Sequence, residues 1–313
     1  MLLHEHSNFK DLIVVVSGEM GIDPTLVEKD YWIMHCLWGL KQQGFTFELK
    51  GGTSLSKGFG LIHRFSEDID IRIEPPLGMD VKIRKNQNKE AHIKSRSDYY
   101  EWVASNLRIS GIQNVERDYA FDDQDKMRSG GVRLNYVSNL STLSGMKDGV
   151  LLELGFDDTA PNQAVNISSW AFDYATKYVK EIEDNRANNV LCYLPEYTFV
   201  EKLQTISTKY RQYKKGNGFP KNFLRHYYDV YCLLEYRPVL DFINTDQYQM
   251  RKQERFPKSD IQIIAQNPAF SLKNENERSL FASEYQKVSS LYYKGQPSFD
   301  DILNKLSKYL KVL

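Results

Sequence analysis

Lys50-Gly51-Gly52-Thr53-Ser54-Leu55-Ser56-Lys57, followed after a short gap by Asp68-Ile69-Asp70-Ile71-Arg72-Ile73, is the stretch on which the reading of this chain turns. Just upstream, Phe45-Thr46-Phe47-Glu48-Leu49 alternates and is rich in β-formers, which predicts a strand. Gly51 and Gly52 then let the backbone turn and approach a ligand closely. Thr53 to Gly60 reads as a short helix capped by Thr53 or Ser54, with its first N–H groups free and the Ser54 hydroxyl beside them. That combination makes a cradle for phosphate oxygens. Asp68 to Ile73 alternates strictly, so it predicts a strand with both aspartates projecting from one face. Two carboxylates beside a phosphate cradle suit Mg²⁺, a hard cation that takes oxygen ligands and is commonly shared with substrate phosphates.

A third acid follows from the same logic. Glu153 lies in Val150-Leu151-Leu152-Glu153-Leu154-Gly155-Phe156, an apolar strand with no other reason to hold a charge. If that strand pairs beside Asp68–Asp70, three carboxylates converge. Metal ions there could activate an attacking oxygen and steady a leaving pyrophosphate. Taken singly, Gly-Gly-Thr-Ser is an ordinary turn and cap, and Asp-x-Asp an ordinary solvent face. The conjunction is what carries the specificity.

Outward from this centre, Asp23-Pro24 is a helix start, and apolar residues from Leu26 to Leu40 recur at helical spacing up to Gln43-Gly44. Residues 80–110 read as helical, and Gly131 to Val137 as a strand. From about Pro195 the pattern is helical to the end, over 199–210, 222–235, 277–293 and 299–310. The expected organisation is a mixed α/β domain over residues 1–194 followed by a helical domain over 195–313.

Composition bounds the rest. At 313 residues the chain is long enough for one large domain or two ordinary ones. Lys+Arg and Asp+Glu each total 41, so no global basic excess points to nucleic acid, and any attraction to phosphate is local. Two basic stretches stand out. One holds Lys82, Arg84, Lys85, Lys89, Lys94 and Arg96. The other, Lys209, Arg211, Lys214, Lys215, Lys221 and Arg225, is interleaved with aromatic rings suited to stacking on unpaired bases. No apolar run approaches the roughly 20 residues that span a bilayer, and Leu12 to Val16 is too short and too late for a secretory signal. Three widely spaced cysteines, Cys36, Cys192 and Cys232, argue against a disulfide framework or zinc knuckle and for a cytoplasmic protein without membrane association.

The whole set resembles the nucleotidyltransferase signature of the DNA polymerase β superfamily. More closely, the chain resembles the AbiEii/AbiGii toxin family. Val27-Glu28-Lys29-Asp30-Tyr31-Trp32 resembles its early helix. Lys50 to Lys57 with Arg64-Phe65-Ser66-Glu67-Asp68-Ile69-Asp70 resembles its central motif. Glu201-Lys202-Leu203, Arg225-His226-Tyr227-Tyr228-Asp229 and Pro297 to Leu303 resemble its later ones. The resemblance implies an α/β (α+β) fold: a polymerase β-like nucleotidyltransferase domain with a mixed sheet flanked by helices, then a helical domain completing the nucleotide and acceptor cleft. It implies that Gly51, Gly52, Thr53, Ser54 and Lys57 bind the triphosphate, that Asp68, Asp70 and Glu153 hold magnesium, and that Lys202 reaches the triphosphate. Asp229 would orient a basic partner or the nucleotide. It further implies transfer of a nucleoside monophosphate from an NTP to an acceptor hydroxyl, with RNA (the tRNA 3′ end) as acceptor, in a toxin–antitoxin or phage-defence system with a cognate antitoxin.

Read from the residues alone, alternatives stay open. Arg225, one helical turn from Asp229, is the local candidate for its partner. Lys202 beside Glu201 fits a surface ion pair, and Lys29 and Asp30 fit either a cleft or ordinary helix charges. The acceptor could be a protein or a small molecule, or the chain a nucleotide- or RNA-binding regulator without turnover. Three converging acids argue against the last, since they repel one another without a cation.

Overall fold

A computed structural model describes residues 1–138, 140 and 146–313. The chain divides into two compact units, Met1–Gly58 with Ser66–Tyr193, and Phe59–Phe65 with Leu194–Leu313.

In the first unit, seven strands among the described residues form one mixed sheet in the order β3-β4-β5-β2-β1-β7-β6. They are β1 (Phe47–Lys50), β2 (Asp68–Ile73), β3 (Ile112–Asp118), β4 (Ser129–Tyr136), β5 (Val150–Gly155), β6 (Asn162–Ile167) and β7 (Ala187–Tyr193). One face carries Leu49, Ile69, Ile71, Val132, Leu134, Leu152 and Leu154, all essentially without solvent exposure. Of the helices α1 (Phe9–Met20), α2 (Pro24–Gln42), α4 (Glu90–Asn106) and α5 (Trp170–Tyr178), α2 and α4 pack against this sheet. On the other face the register sets Lys50, Asp70, Glu153 and Gly131 side by side on adjacent strands. The alternation that buries the isoleucines of β2 therefore delivers its aspartates to the opposite side.

Helix α2 starts as expected, with the Asp23 side chain accepting from the Thr25 N–H and Pro24 in the first turn. It is buried on all sides, including its run Glu28-Lys29-Asp30. Each of these charges needs a partner, because an unpaired ion away from water is costly. Glu28 accepts from the Ser138 hydroxyl at 2.6 Å. Lys29 meets Glu67 at 3.4 Å and the Lys147 carbonyl at 2.6 Å. Asp30 pairs with Lys57 at 2.8 Å and accepts from the Trp170 N–H at 2.8 Å.

The sequence-based helix over 80–110 begins only at Glu90. The preceding segment is irregular because side chains hold its backbone. The Arg96 guanidinium, fully buried, donates to the carbonyls of Lys82, Gln87, Lys126 and Met127. Arg128 donates to those of Ile83, Arg84, Lys85 and Gln87. Arg96 is thus a structural cation, not a candidate contact for nucleic acid. Strands β3, β6 and β7 were not legible beforehand. The outer two strands β3 and β6 show polar side chains to solvent, so they lack an apolar alternation.

The second unit is helical: α6 (Pro195–Lys214), α7 (Arg225–Leu233), α8 (Arg237–Ile243), α9 (Asp246–Arg255), α10 (Glu275–Gln286) and α11 (Phe299–Ser307). Phe223, Tyr227, Phe281 and Phe299 form edge-to-face and tilted ring contacts in its core. Residues 59–65 join this unit through backbone pairing, with the Phe65 N–H donating to the Leu291 carbonyl at 2.7 Å and the Tyr293 N–H to the His63 carbonyl at 3.1 Å. In the second basic stretch, Arg211 pairs with Asp260 and Lys214 with Glu277, so part of its charge is neutralised within the fold.

Replacing Arg96 with Ala removes the donor from several part-buried carbonyls at once. We expect a loss of about 2–4 kcal/mol in unfolding free energy by urea denaturation; an unchanged midpoint would show that water satisfies those carbonyls.

Candidate active site

The site is built where β1 ends. Gly51 has φ +72°, a left-handed conformation that L side chains rarely adopt. A Cβ at this position would run into the Asp70 carboxylate. The glycine is therefore needed twice, for the turn and for the approach of Asp70. Gly51–Thr53 (α3) is one helical turn that continues as a π-helical turn over Ser54–Gly58. The Thr53 hydroxyl donates to the Asp68 carbonyl at 2.5 Å, tying this turn to the start of β2.

Strand β5 lies parallel to β2, with Asp68 opposite Leu151 and Asp70 opposite Glu153. All three acids thus share the open face, and Glu153 is hydrogen-bonded to Asp70. Burial first, and then the charges of Asp70 and Asp68, push the Glu153 carboxyl up to about 8. A proton held between the two carboxyls relieves their repulsion. Asp68 has a different neighbour. The Lys147 ammonium lies 3.0 Å from both Asp68 oxygens.

The condition set by the sequence, that the strand of Glu153 pair beside Asp68–Asp70, is met by the register of β2 and β5. Among the described residues, no group of three or more His, Cys, Asp and Glu side chains is arranged to hold a metal ion. The acids are gathered on one face, with the Lys147 ammonium on Asp68. Their chemistry still fits Mg²⁺, since hard carboxylate oxygens crowd one face, where burial first and then their mutual repulsion hold the Glu153 carboxyl up.

Other expected ligands are placed differently from the sequence reading. Ser54 is fully buried and its hydroxyl faces the Tyr193 carbonyl at 3.5 Å, so it is turned into the fold. Lys57 is committed to Asp30 and stacks over the Trp170 ring at 5.0 Å. In the second unit, Asp229 is completely buried and takes a bidentate pair from Arg64, Nε to Oδ1 at 2.6 Å and Nη2 to Oδ2 at 2.7 Å. Lys202 adds a third contact at 3.1 Å. Arg225 is not its partner: the buried carboxylate is held by residues far away in sequence. Burial alone would raise the Asp229 carboxyl; the Arg64 and Lys202 charges outweigh it and hold it down at about 2. Lys202 is buried against Asp229 rather than on the surface, while Glu201 pairs with Arg251.

Lys147 has no counterpart among the expected site residues, and Arg64 and Glu67, quoted above within the central motif, were given no role of their own. Nothing in Gly145-Met146-Lys147-Asp148-Gly149 marks a site lysine. A partial signal existed in Glu28-Lys29-Asp30, charges in an apolar helix, by the same reasoning that singled out Glu153.

A strand, a Gly-Gly turn and short helix, a strand with two acids on its open face and a third acid on the adjoining parallel strand define a nucleotidyltransferase. The model of the nucleotidyl transferase AbiEii toxin family, of a type IV toxin–antitoxin system, matches residues 37–305, and the chain belongs to this family. No curated protein matches the sequence. Among solved structures, the chain is similar to an antigenic nucleotidyltransferase-like protein from Paracoccidioides brasiliensis, with 12% identity over 88% of this chain and 97% of that one. The TM-score is 0.35, too low for an argument to rest on it. No helix among the described residues is long and apolar enough to cross a membrane.

Two outcomes follow from the electrostatics. Relative to an ordinary glutamate at 4.5, Glu153 in the fold keeps a proton that the unfolded chain has released, up to about pH 8. Its contribution to stability is full at low pH and is lost as pH rises through that window. In EDTA, Tm should therefore fall with pH more steeply for the native protein than for Glu153→Gln; parallel curves would reject the assignment. Separately, Asp229→Asn leaves Arg64 and Lys202 buried without a countercharge. This should cost about 3–5 kcal/mol in guanidinium unfolding, against little loss if the pair were solvated.

Proposed function

We propose that this protein is a Mg²⁺-dependent toxin that transfers a nucleoside monophosphate from an NTP to an acceptor hydroxyl on RNA, with the tRNA 3′ end as the acceptor. The observation that carries the reading is the register of β2 and β5, which sets Glu153 opposite Asp70 on the face shared with Asp68. The three acids lie on one face of the sheet next to a glycine that a side chain would spoil.

Asp68, Asp70 and Glu153 would hold the metal. When bound, Mg²⁺ supplies neutralisation of phosphate charge and a more acidic attacking hydroxyl. In the transfer, the acceptor oxygen forms a bond to the α-phosphorus and the bond from that phosphorus to the bridging oxygen breaks. Pyrophosphate leaves, and the hydroxyl proton passes to a base. The backbone at Gly51, Gly52 and Thr53 is the part of this chain suited to close approach by phosphate. Within the second unit, Asp229 is a positioning residue through its hold on Lys202 and Arg64. Ser54 and Lys57 serve by shaping the turn, given their inward contacts. Family membership supports a cognate antitoxin as partner and a nucleoside triphosphate as substrate. The basic side chains at Arg84, Lys85 and Lys89, all exposed, support an RNA acceptor.

The test is incubation of the purified protein with each α-³²P-labelled NTP, Mg²⁺ and total cell extract. Label should enter material that RNase destroys and protease does not, and Asp70→Asn should lower incorporation by at least about a thousandfold while the protein stays folded. Incorporation that survives in Asp68→Ala/Asp70→Ala would reject the metal site. Label that protease removes would move the acceptor to protein.

A further inference from the structure

We infer that Lys147 is a displaceable internal cation for the acidic site, occupying Asp68 until a divalent metal takes its place. The inference rests on the reading of Asp68, Asp70 and Glu153 as metal ligands and adds a residue to it.

The contact is not that of a loose surface lysine. Its Nζ reaches both oxygens of Asp68 at 3.0 Å and lies 4.5 Å from the centre of the Phe121 ring. The backbone of the same residue is gripped on both sides. Its N–H donates to Glu67 Oε2 at 3.0 Å, and its carbonyl accepts from Lys29 Nζ at 2.6 Å. Lys29 and Glu67 form a buried pair of their own at 3.4 Å. A buried ion pair costs more desolvation than an exposed one, and here it fixes the main chain that presents the ammonium.

The arrangement has a mechanical consequence. With its backbone held, Lys147 can leave Asp68 only by rotating its side chain, which is partly exposed and has the freedom to do so. Asp68 cannot keep an ammonium on both oxygens and serve a hard cation equally well, because two cations within a few ångströms repel. Metal binding therefore works against Lys147, and metal affinity in the absence of nucleotide is held below what the carboxylates alone would provide. The displaced ammonium stays one side chain away from the site, where an anionic polyphosphate gives it a new partner.

The experiment is a Mn²⁺ titration of the nucleotide-free protein, read as free Mn²⁺ by electron paramagnetic resonance. Lys147→Met, which keeps the stem and both backbone contacts, should bind Mn²⁺ about tenfold tighter than the native protein. Lys147→Gln should do the same, as a second variant should the methionine disturb folding. Lys147→Arg should stay near the native affinity. A merely structural lysine would, on removal, weaken the metal site or leave it unchanged, and either result in folded variants overturns the inference. Asp70→Asn in each background separates the two levels. Saturable binding that Asp70→Asn abolishes, with no gain in Lys147→Met, sinks the role of Lys147 and leaves the metal reading standing. No Asp70-dependent Mn²⁺ site in any background sinks the metal reading and this inference with it.

Discussion

Two carboxyl groups facing each other on adjacent strands set the terms for the first unit of this protein. Asp70 and Glu153 are register partners, and like charges in that position are unfavourable. The surrounding residues make the pairing tolerable. Gly51 has no side chain to block Asp70, Glu153 holds a proton, and Lys147 neutralises Asp68. The third contact is itself secured by a buried Lys29–Glu67 pair. A fold selected for stability alone would replace these groups with apolar ones, as β5 does at Leu151 on the same face.

The same solution recurs in helix α2. Glu28, Lys29 and Asp30 are buried side by side, and each serves a different segment: the end of β4 through Ser138, the start of β5 through Lys147, and the turn after Gly51 through Lys57. One helix thus ties together three backbone segments that flank the acidic face. In the second unit, Asp229 plays the equivalent part for Arg64 and Lys202, with a bidentate guanidinium contact that fixes orientation as well as charge. Arg64 lies only four residues before Asp68 in the chain yet belongs to the other unit, because residues 59–65 pair with the backbone at 291–293.

Legibility in the sequence followed periodicity. Strands β1, β2 and β4 could be read because apolar and polar residues alternate along them, and β5 because it is a short apolar run broken by one acid. Strands β3, β6 and β7 lack that contrast, and the start of α4 was misplaced because Arg96 and Arg128, not local propensity, decide the shape of residues 82–89. The acids Asp68, Asp70 and Glu153 were visible as charges that interrupt or alternate with apolar residues. The partners of Asp229 and Asp68 were not, since an ion pair between residues 165 or 79 positions apart leaves no local trace.

The sequence by itself determined which side chains reach the open face of the sheet and that a glycine turn stands before them, because side-chain direction in a strand follows from parity and a turn from residues without steric cost. Only the tertiary structure decided that β5 lies beside β2 in the register joining Glu153 to Asp70, that the Ser54 hydroxyl turns inward, and that Lys147 is the cation on Asp68. Those outcomes depend on how separately formed segments are packed together, and packing is settled by burial and charge pairing across distances that no local pattern encodes.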